Sequence, residues 1–114
     1  MDTMDVRLNV RPIRVGGLLL PSNVLMAPLA GYTCYPFRML AYELGAGLCF
    51  TEMCSANALK YEDRATNRLL ITTPEEPVKA VQLLGGNPAV MERMAKSPFL
   101  EAFDIIDINM GCPV

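Results

Sequence analysis

The chain has 114 residues, of which 52% are hydrophobic, enough to build one core. Its longest apolar stretch falls well short of the ~18 residues that span a bilayer. Ten basic residues against twelve acidic ones give a formal charge of −2, which argues against a dedicated nucleic-acid-binding module and its expected basic stripe.

The N-terminus, Met1-Asp2-Thr3-Met4-Asp5, is acidic and lacks the basic-then-apolar layout of a signal peptide, so a cytoplasmic protein is expected. Ile13-Arg14-Val15-Gly16-Gly17-Leu18-Leu19-Leu20 predicts a β-hairpin, with two apolar arms around a turn whose glycines accept positive φ. Pro21-Ser22-Asn23 is a turn, and Val24 to Leu29 follows as a first buried strand that Pro28 must end. Pro36 is placed at the first position of a helix, where its missing N–H costs nothing. Phe37, Leu40, Ala41 and Leu44 then recur at the spacing of one apolar helix face, and Gly45 caps the end.

Leu48 to Glu52 predicts a second strand, and residues 55–69 a helical stretch. Lys60, Arg64 and Arg68 share a face of that stretch, read as solvated. Pro77 to Leu84 predicts a third strand, ended by Gly85-Gly86. Asn87-Pro88 starts a helix with Met91, Met94 and Ala95 on one face. The β-branched run ending in Asp104 to Asn109 is the fourth strand.

The order is therefore a hairpin followed by βαβαβαβ, the pattern of a parallel α/β sheet with helical crossovers. The turn after the first strand, Ala27-Pro28-Leu29-Ala30-Gly31-Tyr32, lacks the G-x-G-x-x-G of dinucleotide-binding sheets. A hairpin ahead of the first strand fits a barrel plugged at its bottom. Four strands cannot close a (β/α)8 barrel of about 250 residues. The expected fold is thus the N-terminal half of a (β/α)8 TIM barrel with an N-terminal β-hairpin, a single partial domain over residues 1–114.

Four polar sites fall at the C-terminal ends of the strands, the end where ligands bind in such folds. At Ala27, Pro28 and Leu29, small residues and a broken ladder would let a flat ligand lie against the backbone; taken alone, they read first as a plain strand-ending turn. Glu52, in Thr51-Glu52-Met53, must be paired, solvated or functional, because burying a lone carboxylate is costly. Gln82 offers a donor and an acceptor within an apolar strand, suited to an internal bond or to a heterocycle edge. Asn109 and Cys112 stand on the loop leaving the fourth strand, where an amide can orient a heterocycle and a thiol can donate a proton. Four cysteines (34, 49, 54 and 112), no C-x2-C pair and no histidine leave no metal site to propose. Cys49 and Cys54 read as buried thiols. A chain ending two residues past Cys112 looks like the front half of an enzyme.

Taken in order, Leu25-Met26-Ala27-Pro28-Leu29-Ala30-Gly31-Tyr32-Thr33, Phe37-Arg38, Gly45-Ala46-Gly47, Thr51-Glu52-Met53, Gln82-Leu83-Leu84-Gly85 and Asp107-Ile108-Asn109-Met110-Gly111-Cys112-Pro113 resemble the tRNA-dihydrouridine synthase family. The resemblance implies an FMN-binding (β/α)8 barrel followed by a small helical domain. It implies NADPH as the reductant and tRNA as the partner, with reduction of the C5–C6 bond of uridines. It further implies that Cys112 protonates C5, that Asn109 holds the uracil, that Gln82 bonds the flavin ring, and that Ala27, Pro28 and Leu29 line it. No metal and no membrane enter. Leu29 stands where that family usually has Met, and near Cys34, after the threonine, it often has Asp. The later strands, with a lysine and a histidine near the flavin, and the helical domain are absent, so the chain alone is expected to be inactive. Other readings are a different FMN barrel, such as a dihydroorotate dehydrogenase, or a non-catalytic assembly piece.

Overall fold

A computed structural model describes residues 9–61 and 64–112. The acidic Met1–Asp5 segment and Pro113 lie outside the described residues. The hairpin forms as expected: β1 (Ile13–Val15) pairs antiparallel with β2 (Leu18–Leu20), and Gly16 takes the positive φ of the turn at 57°.

The remaining strands form one parallel sheet in chain order: β3 (Leu25–Met26), β4 (Leu48–Ser55), β5 (Ala80–Leu84) and β6 (Ile105–Ile108). Between them lie α1 (Tyr35–Glu43), α2 (Ala56–Lys60), α3 (Arg64–Leu69) and α4 (Pro88–Ala95), with a short 3-10 turn at Pro98–Leu100. Each strand neighbours the next in sequence, so the sheet winds one way and has no point at which the strand order reverses.

Local chemistry sets the boundaries. Asn87 caps α4 by accepting from the N–H groups of Ala89 and Val90 at 3.0 and 3.2 Å, and Pro88 follows at the first position. At the end of α1, Gly45 takes φ of 101°; its N–H donates to Tyr42 O, and that of Ala46 to Ala41 O, a Schellman closure. Pro36 occupies the second helical position rather than the first, because Cys34 is the cap and Tyr35 opens the helix. The first barrel-type strand is two residues long instead of six: the chain turns away at Pro28, and Leu29 O takes up the N–H groups of Tyr32 and Thr33. The 55–69 stretch is two helices, α2 and α3.

Parallel pairing makes the two faces of the sheet easy to follow. Cys54, Val81 and Leu83 face the helices and pack with Ala56, Leu59, Met94 and Leu100. On the opposite face Leu48 and Ala80 pack with Leu20 of the hairpin and Val78, with Ile13, Leu18, Phe50 and Ile105 against them. The hairpin thus covers the N-terminal half of the inner face. Ala95 is exposed, so the buried stripe of α4 is Met94 with Met91 and Val90.

The apolar face of α1 is not buried as its periodicity predicted. Phe37, Leu40 and Leu44 are all exposed, Leu44 at 81%. With Val24, Leu25 and Met26 they line a groove of about 470 Å³. At the other end of the sheet, Ile106 and Ile108 point to the helix face but are also exposed. Both edges carry apolar surface with nothing against it among the described residues.

Candidate active site

Above the apolar layer that the hairpin covers, the same inner face becomes polar. The pairings Met53↔Gln82 and Gln82↔Asp107 put these three side chains in one layer, and Asn109 lies two residues beyond Asp107 on the same face. A bulge in β4 builds this layer. Between Phe50 and Met53 β4 spends one residue more than β5 does between Ala80 and Gln82. The ladder bond lost there is replaced by a side chain: the Gln82 N–H donates to Thr51 Oγ1 at 3.2 Å, and that hydroxyl donates to Glu52 O at 2.8 Å.

The polar groups form a single chain of hydrogen bonds. Gln82 Nε2 donates to Asp107 Oδ2 at 2.7 Å, and Asn109 Nδ2 donates to Gln82 Oε1 at 3.2 Å and lies 3.3 Å from Met53 Sδ. Asn109 Oδ1 accepts from the N–H groups of Gly111 and Cys112, at 3.0 and 2.9 Å. The loop that carries the thiol is therefore folded around the Asn109 carboxamide, as in an Asx turn. Cys112 is half-buried and free, and the neighbouring Met110 is 92% exposed.

Gln82, Asn109 and Cys112, each predicted as a site residue, are brought together by this chain. Ala27, Pro28 and Leu29 lie outside it. Their turn is tied to β4 by Glu52, whose carboxylate accepts from the N–H of Gly31, a residue at φ 80°. Glu52 is thus paired, through a backbone N–H. The expectation that the 27–29 backbone is freed by the broken ladder needs correcting at Leu29. Its N–H donates to the buried Thr33 hydroxyl at 3.1 Å, and its carbonyl accepts from three donors of residues 32 and 33. Ala27 and Leu29 are exposed and Pro28 half-buried, leaving an apolar wall.

Two groups escaped the sequence reading. Asp107 was part of a motif with no role; its signal was the i, i+2 spacing to Asn109, which puts both on one face. The other is a buried pair under the 27–33 turn. Arg38 Nε and Nη2 donate to Glu76 at 2.7 and 3.0 Å, while Nη1 and Nη2 reach Thr33 O and Ile71 O at 2.9 and 2.8 Å. Nothing local in sequence joins residues 38 positions apart.

The remaining thiols are unlike Cys112. Burial pushes those of Cys49 and Cys54 up to about 11, which keeps them protonated and inert, as expected. Cys34 is exposed at the cap of α1. Lys60, Arg64 and Arg68 are exposed. Among the described residues no cluster of three or more His, Cys, Asp or Glu could hold a metal, and no helix is long and apolar enough to cross a membrane.

Gln82 uses one Nε2 hydrogen on Asp107 and one Oε1 lone pair on Asn109, which leaves one further donor and one further acceptor on the same amide. An adjacent donor and acceptor match the carbonyl and imide edge of a flavin or pyrimidine ring. The residues present fit such a group.

Residues 25–114 match the dihydrouridine synthase (Dus) family. Over 101 residues the chain is 39% identical to tRNA-dihydrouridine synthase B of Pseudomonas aeruginosa, covering 89% of this chain and 30% of that protein. The same identity holds for the tRNA-dihydrouridine synthase B proteins of Escherichia coli K12 and Salmonella typhimurium, with 89% of this chain and 32% of each relative covered. The chain spans about a third of the length of these relatives.

Proposed function

Because the chain belongs to the dihydrouridine synthase family, we propose that it forms the first half of an FMN-binding (β/α)8 barrel that reduces the C5–C6 bond of uridines in tRNA. NADPH is the reductant in this reading. The one-way winding of the sheet supports a barrel over a doubly wound sheet. The apolar groove beside β3 and the exposed outer face of β6 are where a barrel would continue and close, with a helical tRNA-binding domain beyond. A cytoplasmic location goes with tRNA as the substrate.

The observation that carries the reading is the Asn109 carboxamide. At the C-terminal end of β6 it folds the Gly111-Cys112 backbone onto itself, beside the amide of Gln82. When bound, the flavin supplies hydride to C6 of the uracil. Gln82 would hold the ring edge with its remaining donor and acceptor, and the Ala27-Pro28-Leu29 wall would lie along the ring. Asn109 holds the uracil in the resemblance; in the structure its oxygen is committed to the loop and its Nδ2 to Gln82 and Met53. Its contact with a base would therefore be made from within this network. Cys112 would give its thiol proton to C5, on a loop whose backbone the network fixes. The base must leave its stack to reach such a layer.

The test is the full-length protein, flavin-loaded and supplied with NADPH, on tRNA lacking dihydrouridine. Dihydrouridine is expected to form, and Cys112→Ala to slow it by about 10²–10⁴-fold, the worth of a positioned general acid, with flavin absorbance retained. Unchanged turnover in Cys112→Ala, or turnover of dihydroorotate in place of tRNA, overturns the reading.

A further inference from the structure

We propose that Asp107 is a positioning residue that sets the direction of every amide in the layer and thereby holds the Cys112 loop. This deepens the preceding reading and rests on it for the role of Cys112. An ionised aspartate only accepts hydrogen bonds, whereas a Gln or Asn amide presents either end. Asp107 therefore admits one orientation of Gln82, with Nε2 toward the carboxylate. That turns Oε1 toward Asn109, which must answer with Nδ2. The Asn109 oxygen is then left facing the N–H groups of Gly111 and Cys112. A flipped Gln82 would set NH2 against NH2, and Asn109 could satisfy it only by turning its oxygen off the loop.

Gln82 is 8% exposed, so water does not readily replace a lost partner there. Removing the Asp107 acceptor frees the Gln82 amide to rotate in search of another, and the constraint on Asn109 goes with it. The effect falls on the loop and not on the strand. The Asn109 N–H, held by Leu83 O at 2.9 Å, belongs to the β5–β6 ladder and does not depend on the side-chain chain.

The experiment is amide hydrogen exchange in the full-length protein, read flavin-loaded and flavin-free, the flavin-free form deciding because a bound ring edge would itself orient the Gln82 amide. In Asp107→Leu, exchange at Gly111 and Cys112 is expected to rise on the order of tenfold, the loss of one hydrogen bond to a charged group. The Asn109 amide should be unchanged. Asp107→Asn presents either end of its amide and no longer dictates the direction, so it should loosen the Gly111 and Cys112 amides too, but by less than Asp107→Leu because an oxygen is still available to Gln82. Gln82→Leu cuts the next link with Asp107 intact and should loosen the same two amides; if Asp107→Leu does not fold, this variant decides. In turnover, Asp107→Leu should lower kcat and leave KM for tRNA alone. Unchanged exchange at Gly111 and Cys112 in either Leu variant overturns the proposal, as does Asp107→Asn loosening them as much as Asp107→Leu. Because exchange is read without turnover, a failure of the Cys112 assignment shows separately, as Cys112→Ala remaining active.

Discussion

Replacing Arg38 by Met should be among the most damaging single changes in this chain. Arg38 and Glu76 are both 1% exposed. The guanidinium makes two bonds to the carboxylate and one each to Thr33 O and Ile71 O. Without it, Glu76 keeps only the Thr72 hydroxyl, at 2.6 Å, and the two carbonyls lose a partner. Removing one member of a buried ion pair costs about 3–5 kcal/mol. The buried Thr33 carbonyl left bare would add about 1–3 kcal/mol if water did not reach it, whereas Ile71 is exposed and its carbonyl can turn to water. Some water entry is expected, so a total near 4 kcal/mol follows, a large share of an ordinary protein's stability.

A double-mutant cycle separates pairing from packing. Glu76→Leu alone strands the guanidinium and should cost a similar amount, whereas Arg38→Met with Glu76→Leu removes both charges and should recover at least about 2 kcal/mol of the summed losses. The assay is urea unfolding of the full-length protein followed by circular dichroism. Arg38→Met within about 1 kcal/mol of the parent, or single changes that add to within about 0.5 kcal/mol, would refute the reasoning.

Three further outcomes are expected. Cys34 caps α1 with no side-chain bond, so Cys34→Asp should stabilise by about 1 kcal/mol, read as a higher urea midpoint; an unchanged or lower midpoint counts against it. Gly47→Ala would set a Cβ 1.8 Å from Ser22 O and 2.7 Å from Ser22 C, both backbone, and should cost upwards of about 2 kcal/mol; parent-like unfolding would show that the 22–24 segment yields. Burial raises the Cys49 and Cys54 thiols from 9.0 to about 11, so the unfolded chain loses these protons first. The stability they contribute is complete below about pH 9 and is lost as pH rises through about 11; a urea midpoint flat across that window, beyond what Cys49→Ala and Cys54→Ala share, would contradict it.

Where a boundary depends on one residue's backbone chemistry, the sequence was legible. Asn87-Pro88 and Gly45 mark the ends of α4 and α1 by capping alone, and the hairpin follows from two apolar arms around Gly16. Where a boundary depends on pairing, it was not. Residues 24–29 have the composition of a strand, yet β3 ends at Met26 because Thr33 draws Leu29 into a turn. The stripe Phe37, Leu40 and Leu44 has the spacing of a buried face, but periodicity says which residues share a side and not what lies against it. Arg38 and Glu76 are invisible for a plainer reason: no local pattern marks two charges that meet across 38 positions.

The site shows the same division, and the bulge in β4 is the reason. Without the extra residue, Phe50↔Ala80 would carry on to set Glu52 beside Gln82, and a second carboxylate would enter the layer that already holds Asp107. Two like charges flanking one amide would leave Gln82 with competing acceptors and no defined direction. The bulge puts Met53 there instead, whose sulfur lies against Asn109 Nδ2, and sends Glu52 across to the Gly31 N–H. One inserted residue thus makes the layer singly charged and pins the turn that follows Ala27, Pro28 and Leu29. Alternation along Thr51-Glu52-Met53 predicts the opposite placement, since a bulge reverses the faces of every residue after it. The residue types at the strand ends could be read as a site, but which of them face one another is decided by a register that only the folded sheet fixes.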